Sequence, residues 1–278
     1  MSLPAPSTEA GRAGLAALVR EPRRALIALD FDGTLSPIVA DPAGARGADG
    51  AADALAGLAG RAGTVAIITG RPAADAVELG GFGGVPGLIV LGQYGRERWH
   101  DGQLSRPPAS AEVAAARAEL PGVLAAAGAP EGTWTEDKGD ALAVHTRRTA
   151  DPSAAFDLLR QPLTALAKRA GLMVEPGRLV LELRPPGADK GAALTGLVAE
   201  RSASAVLYAG DDLGDIPAFR AVVELRSGGV PGLTVCSGSA EATALAEHAD
   251  LIVDGPTGIL ALLRELATAF WLPDDVAS

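Results

Sequence analysis

With 278 residues, of which 48% are hydrophobic, 21% charged and 4% aromatic, the chain has room for about two domains and is too apolar to be disordered. Lys and Arg number 24 against 34 Asp and Glu, a formal net charge of −10. This argues against a general nucleic-acid binder or a polybasic membrane-surface protein, and an anionic substrate would need local positive charge.

The one cysteine, Cys236, can form no intrachain disulfide, and no Cys/His cluster has zinc-ligand spacing, so a reducing, cytoplasmic setting is expected. From Met1 to Glu21 the chain lacks the basic flank and apolar stretch of a signal peptide, and nowhere is there an uninterrupted apolar span of about 20 residues. Neither export by that route nor a membrane span is expected.

The first apolar run, Ala25 to Leu29, stops at Asp30; Thr64 to Ile68 stops at Thr69-Gly70, and Leu88 to Leu91 at Gly92. Late in the chain, Ala205 to Ala209 stops at Gly210-Asp211, Leu233 to Cys236 at Ser237-Gly238, and Leu251 to Val253 at Asp254. Such unalternating runs, interleaved with Ala/Leu-rich helical stretches, predict strands buried on both faces in a parallel sheet covered by helices. The stretch between reads differently. Leu142 to Arg147 and Arg178 to Arg184 alternate polar and apolar, which predicts strands with one face on a core and one on water or ligand.

An α+β insertion over residues 106–186 is therefore expected, dividing an α/β core into residues 1–105 and 187–278. Pro and Gly concentrate in Ser105-Arg106-Pro107-Pro108 and in Arg184-Pro185-Pro186-Gly187, the expected linkers. His100 and His248 have no neighbours at metal spacing and are expected to be surface or structural. Trp99, Trp134 and Trp271 are expected to pack rather than to serve as stacking platforms. The glycines from Gly80 to Gly87 do not form a dinucleotide fingerprint after a strand.

Four pieces carry chemistry. Asp30-Phe31-Asp32-Gly33-Thr34 follows a buried strand, and in open parallel sheets ligands gather beyond the carboxyl ends of strands, so both carboxylates would face a crevice; in isolation the pair suits a polar turn equally well. Thr69-Gly70-Arg71-Pro72 reads as a helix start with Thr69 as N-cap, and the hydroxyl and free N–H groups of such a start also make a phosphate site. Lys190, in Asp189-Lys190-Gly191, stands where the chain re-enters the core and could screen phosphate charge. Gly210-Asp211-Asp212-Leu213-Gly214-Asp215 crowds three carboxylates whose repulsion a divalent cation would relieve, and a hard oxygen-ligand site suits Mg²⁺.

In this order the four pieces resemble the haloacid dehalogenase-like (HAD) phosphatases, as DxDGT, Thr-Gly-Arg, Lys and GDDxxD. The resemblance implies a Rossmannoid parallel-sheet core with an inserted cap, and an aspartyl-phosphate mechanism. Asp30 would be the nucleophile and Asp32 the general acid and then base. Thr69 and Lys190 would hold the phosphoryl group. Asp30, the backbone carbonyl of Asp32, and Asp211 would hold Mg²⁺, with Asp212 and Asp215 as further ligands or as supports behind them. The chemistry is consistent, since a carboxylate approaches a phosphate dianion only when positive charge offsets the repulsion.

Glu136, Lys138, His145 and Arg147 in the run Glu136 to Arg147, with Arg178 and Glu182 in Gly177 to Pro185, are similar to the cap of the trehalose-6-phosphate phosphatases. On alternating strands His145 and Arg147 would share a face, as would Arg178, Val180, Glu182 and Arg184, and charged side chains of both signs suit sugar hydroxyls. A solvated sheet face is the alternative for these positions. With the core motifs the resemblance runs from about Leu26 to Leu263 and implies hydrolysis of trehalose 6-phosphate, with Arg71 also touching substrate and a trehalose-6-phosphate synthase as the functional link. Departures stand at Gly92-Gln93-Tyr94-Gly95 for the family's Gly-Ser-His-Gly, at His145-Thr146-Arg147 for His-Tyr-Arg, and at Gly214-Asp215-Ile216-Pro217 for Thr-Asp-Glu-Asp. They leave open another sugar or glyceryl-sugar phosphate as substrate, or a catalytically silent sugar-phosphate-binding regulator.

Overall fold

A computed structural model describes residues 3–39, 41–106, 110–187, 189–238 and 243–271. In chain order the elements are α1 (Glu9–Arg20), β1 (Ala25–Leu29), α2 (Ala51–Ala59), β2 (Thr64–Ile68), α3 (Ala73–Gly80), β3 (Ile89–Gly92), β4 (Glu97–His100), β5 (Gln103–Ser105), α4 (Ala111–Ala126), β6 (Trp134–Asp137), β7 (Leu142–His145), α5 (Pro152–Ala170), β8 (Met173–Gly177), β9 (Val180–Arg184), α6 (Lys190–Arg201), β10 (Ala205–Gly210), α7 (Ile216–Ser227), β11 (Gly232–Gly238), α8 (Thr243–Ala246), β12 (Leu251–Asp254) and α9 (Gly255–Ala269). They divide into two compact units, Met1–Arg106 with Ala188–Ser278, and Pro107–Gly187.

The first unit is built on one sheet in the order β12-β11-β10-β1-β2-β3-β4-β5. From β12 to β3 the pairing is parallel, and the hairpin β4–β5 extends the edge antiparallel. The period of two sorts the strand residues into two cores. Ile27, Val65, Leu207 and Val235 pack with residues of α1, α2 and α9 on one face, whereas Leu26, Ala66, Val206 and Tyr208 pack with α6 and α7 on the other. Because both faces are covered, β1 and β10 are buried at every position.

The second unit is an antiparallel sheet in the order β6-β7-β9-β8. Leu142, Val144, Leu181 and Leu183 pack against α4 and α5. Ser110 and Asp151 begin these two helices, accepting from the backbone N–H of Val113 and Ala154. The register places Trp134 opposite His145, and Glu136 opposite Ala143, which lies opposite Glu182 in turn. These residues alternate with the core positions and occupy the other face of the sheet.

Arg178 is not on the strand expected to carry it. The apolar stretch folds as a β8–β9 hairpin with Gly177 paired to Val180, which leaves Arg178 and Leu179, the latter at φ +61°, as its two-residue turn. Arg147 likewise lies beyond the end of β7, and its Nη2 donates to the Arg178 carbonyl at 3.4 Å. Of the expected linkers, Pro107 and Pro108 lie outside the described residues. Among the described residues no helix is long and apolar enough to cross a membrane.

Candidate active site

Asp30 is set at the carboxyl end of the central strand β1 by its own N–H, which donates to the Ala209 carbonyl of β10 at 2.8 Å. Gly33, at φ +75°, then turns the chain back, and a Cβ there would lie 1.9 Å from an Asp211 carboxylate oxygen. Only glycine satisfies both the left-handed backbone and the close approach. Ser237, at the end of β11, donates to the Gly33 carbonyl at 2.7 Å and closes the turn from the far side.

Asp189 caps α6 through the Ala192 N–H, which starts the helix so that Lys190 enters the sheet end. Its Nζ lies 2.8 Å from Asp30 Oδ1 and 2.8 Å from Asp215 Oδ1. Tyr208 of β10 donates its hydroxyl to the same Asp215 oxygen at 2.7 Å, while Oδ2 accepts the N–H groups of Asp211 and Asp212 at 3.0 and 3.2 Å. A carboxylate offers about four acceptor positions, and those of Asp215 are thus taken. Asp212 turns away and accepts from the Gly214 N–H, capping the turn.

Carboxylate oxygens of Asp30, Asp211 and Asp215, all buried, lie within 4.8 Å of one another. Burial above all, with Asp215 and Asp211 adding to it, pushes the Asp30 carboxyl well up against the opposing pull of Lys190. Asp211 is pushed up to about 8 by burial and then by Asp215 and Asp212. Burial alone would lower Lys190, but Asp215 and Asp30 outweigh it and hold the ammonium charged. One cation thus faces three carboxylates, an imbalance that a divalent ion on hard oxygen donors would relieve. Asp30 and Asp211 fit such an ion best, because Asp215 is already fully hydrogen-bonded and Asp212 is outside the cluster.

Thr69, buried, follows β2, one strand over from Asp30. It does not cap α3: its Oγ1 accepts the Arg71 N–H at 3.1 Å, and the helix begins after Pro72. The buried Glu97 of β4 serves α3 instead, accepting the Ala73 N–H at 2.8 Å, because the β3–β4 hairpin brings it to the helix start. Arg71 grips Asp32 with two bonds of 2.7 Å, Nε to Oδ2 and Nη2 to Oδ1. Burial first, and then Asp215, raise the Asp212 carboxyl against the pull of Lys190. The Gln93–Tyr94 segment is tied to the same loop, its N–H groups donating to the Arg71 and Thr69 carbonyls. Both residues adopt positive φ, 48° and 59°.

On the polar face of the second unit, Lys138 Nζ lies 2.6 Å from Glu182 Oε2, and His145 Nε2 lies 2.9 Å from Glu136 Oε2. The bond to His145 is the main cause that holds the Glu136 carboxyl below its ordinary range. Trp134 does not simply pack: its ring is stacked on His145, centroids 3.7 Å apart and planes at 4°. Trp99 does lie in a core, and Trp271 is exposed. Sequence reasoning passed over Tyr208 and Glu97 as well. The lone hydroxyl in the apolar run of β10 was a signal for the first, and nothing local marks the second.

A family model described as trehalose-phosphatase matches residues 28–250. A trehalose-phosphate phosphatase of Mycobacterium avium (strain 104) is 34% identical over 221 residues, covering 77% of this chain and 54% of that protein. A protein of Mycobacterium tuberculosis (strain CDC 1551 / Oshkosh) described as an uncharacterized glycosyl hydrolase is 40% identical over 217 residues, 72% of this chain and 15% of that one. The chain thus spans about half the length of the M. avium phosphatase and a smaller part of the second relative. The structure of Aspergillus fumigatus trehalose-6-phosphate phosphatase superposes with a TM-score of 0.68 at 26% identity, over 96% of this chain and 100% of that one. The architecture is that of the haloacid dehalogenase-like hydrolases.

Proposed function

Because the chain belongs to the trehalose-phosphatase family, we propose that it is a Mg²⁺-dependent phosphatase that hydrolyses trehalose 6-phosphate to trehalose and phosphate through an aspartyl-phosphate. The observation that carries this reading is the buried Lys190 ammonium bridging Asp30 and Asp215 at 2.8 Å each, with Asp211 in the same cluster. Asp30 attacks phosphorus, the bond from phosphorus to the sugar oxygen breaks, and Asp32 delivers its proton to that oxygen. In the second half Asp32 takes a proton from water, whose oxygen attacks phosphorus and releases Asp30. Thr69 and Lys190 hold the phosphoryl oxygens.

The Arg71 fork orients Asp32 through its two bonds. A substrate phosphate would compete for Arg71 and leave Asp32 free to turn toward the leaving oxygen. Mg²⁺ held by Asp30, Asp211 and the Asp32 carbonyl would supply the positive charge that lets a carboxylate meet a phosphate dianion. Asp212 and Asp215 support that set: Asp215 fixes the backbone of Asp211 and Asp212 while orienting Lys190. In the second unit, Glu136, Lys138, His145 and Glu182 read the sugar hydroxyls, with Arg147 and Arg178 at the end of the same sheet. The reaction that supplies the substrate is a trehalose-6-phosphate synthase, and the setting is cytoplasmic.

The test is turnover of a panel of sugar phosphates with Mg²⁺ and with EDTA. Trehalose 6-phosphate should be preferred, EDTA should stop the reaction, and Asp30→Asn should leave less than about one part in a thousand of the rate. Preference for another sugar or glyceryl-sugar phosphate would correct the substrate alone. Saturable binding without turnover would make the chain a sugar-phosphate-binding regulator.

A further inference from the structure

We infer that Trp134 positions His145 and Glu136 for sugar recognition, and that it is a specificity-determining residue of the reaction proposed above, on which this inference rests. Trp134 and His145 are directly opposite on β6 and β7, and their rings lie face to face at 3.7 Å and 4°. An imidazole so stacked cannot tilt or flip out without giving up that contact. With its plane set, Nε2 is aimed along the sheet at Glu136, 2.9 Å away, two residues beyond Trp134 on the same strand and face.

The Arg148 guanidinium lies 5.1 Å from the Trp134 ring centroid, a cation–π contact that holds the indole in turn. Arg148, Trp134, His145 and Glu136 thus form a relay of side chains ending at a carboxylate. Across the sheet from Glu136, the buried Ala143 carries only a methyl group, and Glu182 stands on its other side. The row Glu136–Ala143–Glu182 is therefore a low floor between two carboxylates, with Lys138 bonded to the second. Two acceptors flanking a small floor, with a donor at hand, suit vicinal hydroxyls of a pyranose, and the relay sets where the first acceptor stands.

The variants Trp134→Ala and Trp134→Phe separate this role from a structural one. For Trp134→Ala we expect KM for trehalose 6-phosphate to rise about tenfold, the loss of one well-placed hydrogen bond, with kcat changed less. The fall in kcat/KM should be about tenfold greater for trehalose 6-phosphate than for p-nitrophenyl phosphate. Trp134→Phe, which keeps a stacking ring, should restore most of the KM. Equal losses on both substrates, or no recovery with Trp134→Phe at an unchanged melting temperature, would overturn the inference. Calorimetric titration with trehalose itself reads the same face without chemistry. If the wild type hydrolyses no sugar phosphate the proposed function fails, while loss of trehalose binding in Trp134→Ala would still support the relay; undiminished binding, or none in the wild type, would refute it.

Discussion

Tyr208 contributes a buried hydroxyl to the cluster of Asp30, Lys190, Asp211 and Asp215. Burial, and then Asp215, push its phenol well up, so it acts as a donor throughout the ordinary pH range. It shares Asp215 Oδ1 with Lys190, and without it that oxygen would draw on the ammonium alone. Tyr208→Phe removes the donor and keeps the ring that meets Phe219 edge-on at 6.1 Å. Loss of a bond to a buried carboxylate should cost about 1.5–3 kcal/mol in urea unfolding. Under the proposed function kcat should fall while KM for the sugar phosphate changes little, because the displaced group is Lys190 and the sugar-reading face is untouched; steady-state kinetics check the split.

At the scale of elements, Asp250 joins four of them. It accepts the Thr8 hydroxyl, which in turn caps α1, the Thr234 N–H and hydroxyl from β11, and the Arg226 guanidinium of α7, just before the chain enters β12. Helices α1 and α7 lie on opposite faces of the sheet, so one carboxylate fastens both layers to its edge. Burial tends to raise this carboxyl, but the bonds from Thr8, Thr234 and Arg226 outweigh it and the net shift is downward. A folded-state value below the unfolded one gives stability that is present above about pH 4 and lost as pH falls through the folded value. Asp250→Asn should therefore cost about 3 kcal/mol at neutral pH, the penalty for leaving Arg226 without its charge partner. The gap to wild type should stay constant from pH 7 to 5 and narrow below about 4 in denaturant titrations at each pH.

For the whole molecule, each unit has its own core: two clusters on the faces of the eight-stranded sheet, and a third between α4, α5 and the four-stranded sheet. Separate cores in one chain break the condition for two-state unfolding. Scanning calorimetry should therefore give a calorimetric enthalpy larger than the van't Hoff enthalpy. Ligands stabilise what they bind, so under the proposed function Mg²⁺ should raise the transition of the unit holding Asp30 and Asp211, and trehalose that of the unit holding Glu136 and Glu182. A single transition moved equally by both ligands would contradict this division.

Runs such as Ala25 to Leu29 and Ala205 to Ala209 were legible as buried parallel strands because burial on both faces leaves no polar position, a local property. The motifs ending at Asp30, Thr69 and Asp211 could be placed at strand ends because the turn residues that stop a strand are local too. The hairpin β4–β5 was not legible, being short and polar, with its pairing fixed only by the neighbouring β3. Arg178 was misplaced because alternation gives the faces of a strand but not where a hairpin bends. The grip of Arg71 on Asp32, the hub at Asp215, the capping of α3 by Glu97 and the stack of Trp134 on His145 likewise needed the fold. By itself the sequence determined the buried parallel strands of the first sheet, the alternating strands β7 and β9 of the second unit, and which residue types stand at the sheet end. Tertiary structure decided which side chains meet, because register and helix placement join residues far apart in the chain, and burial then sets the charge each can hold.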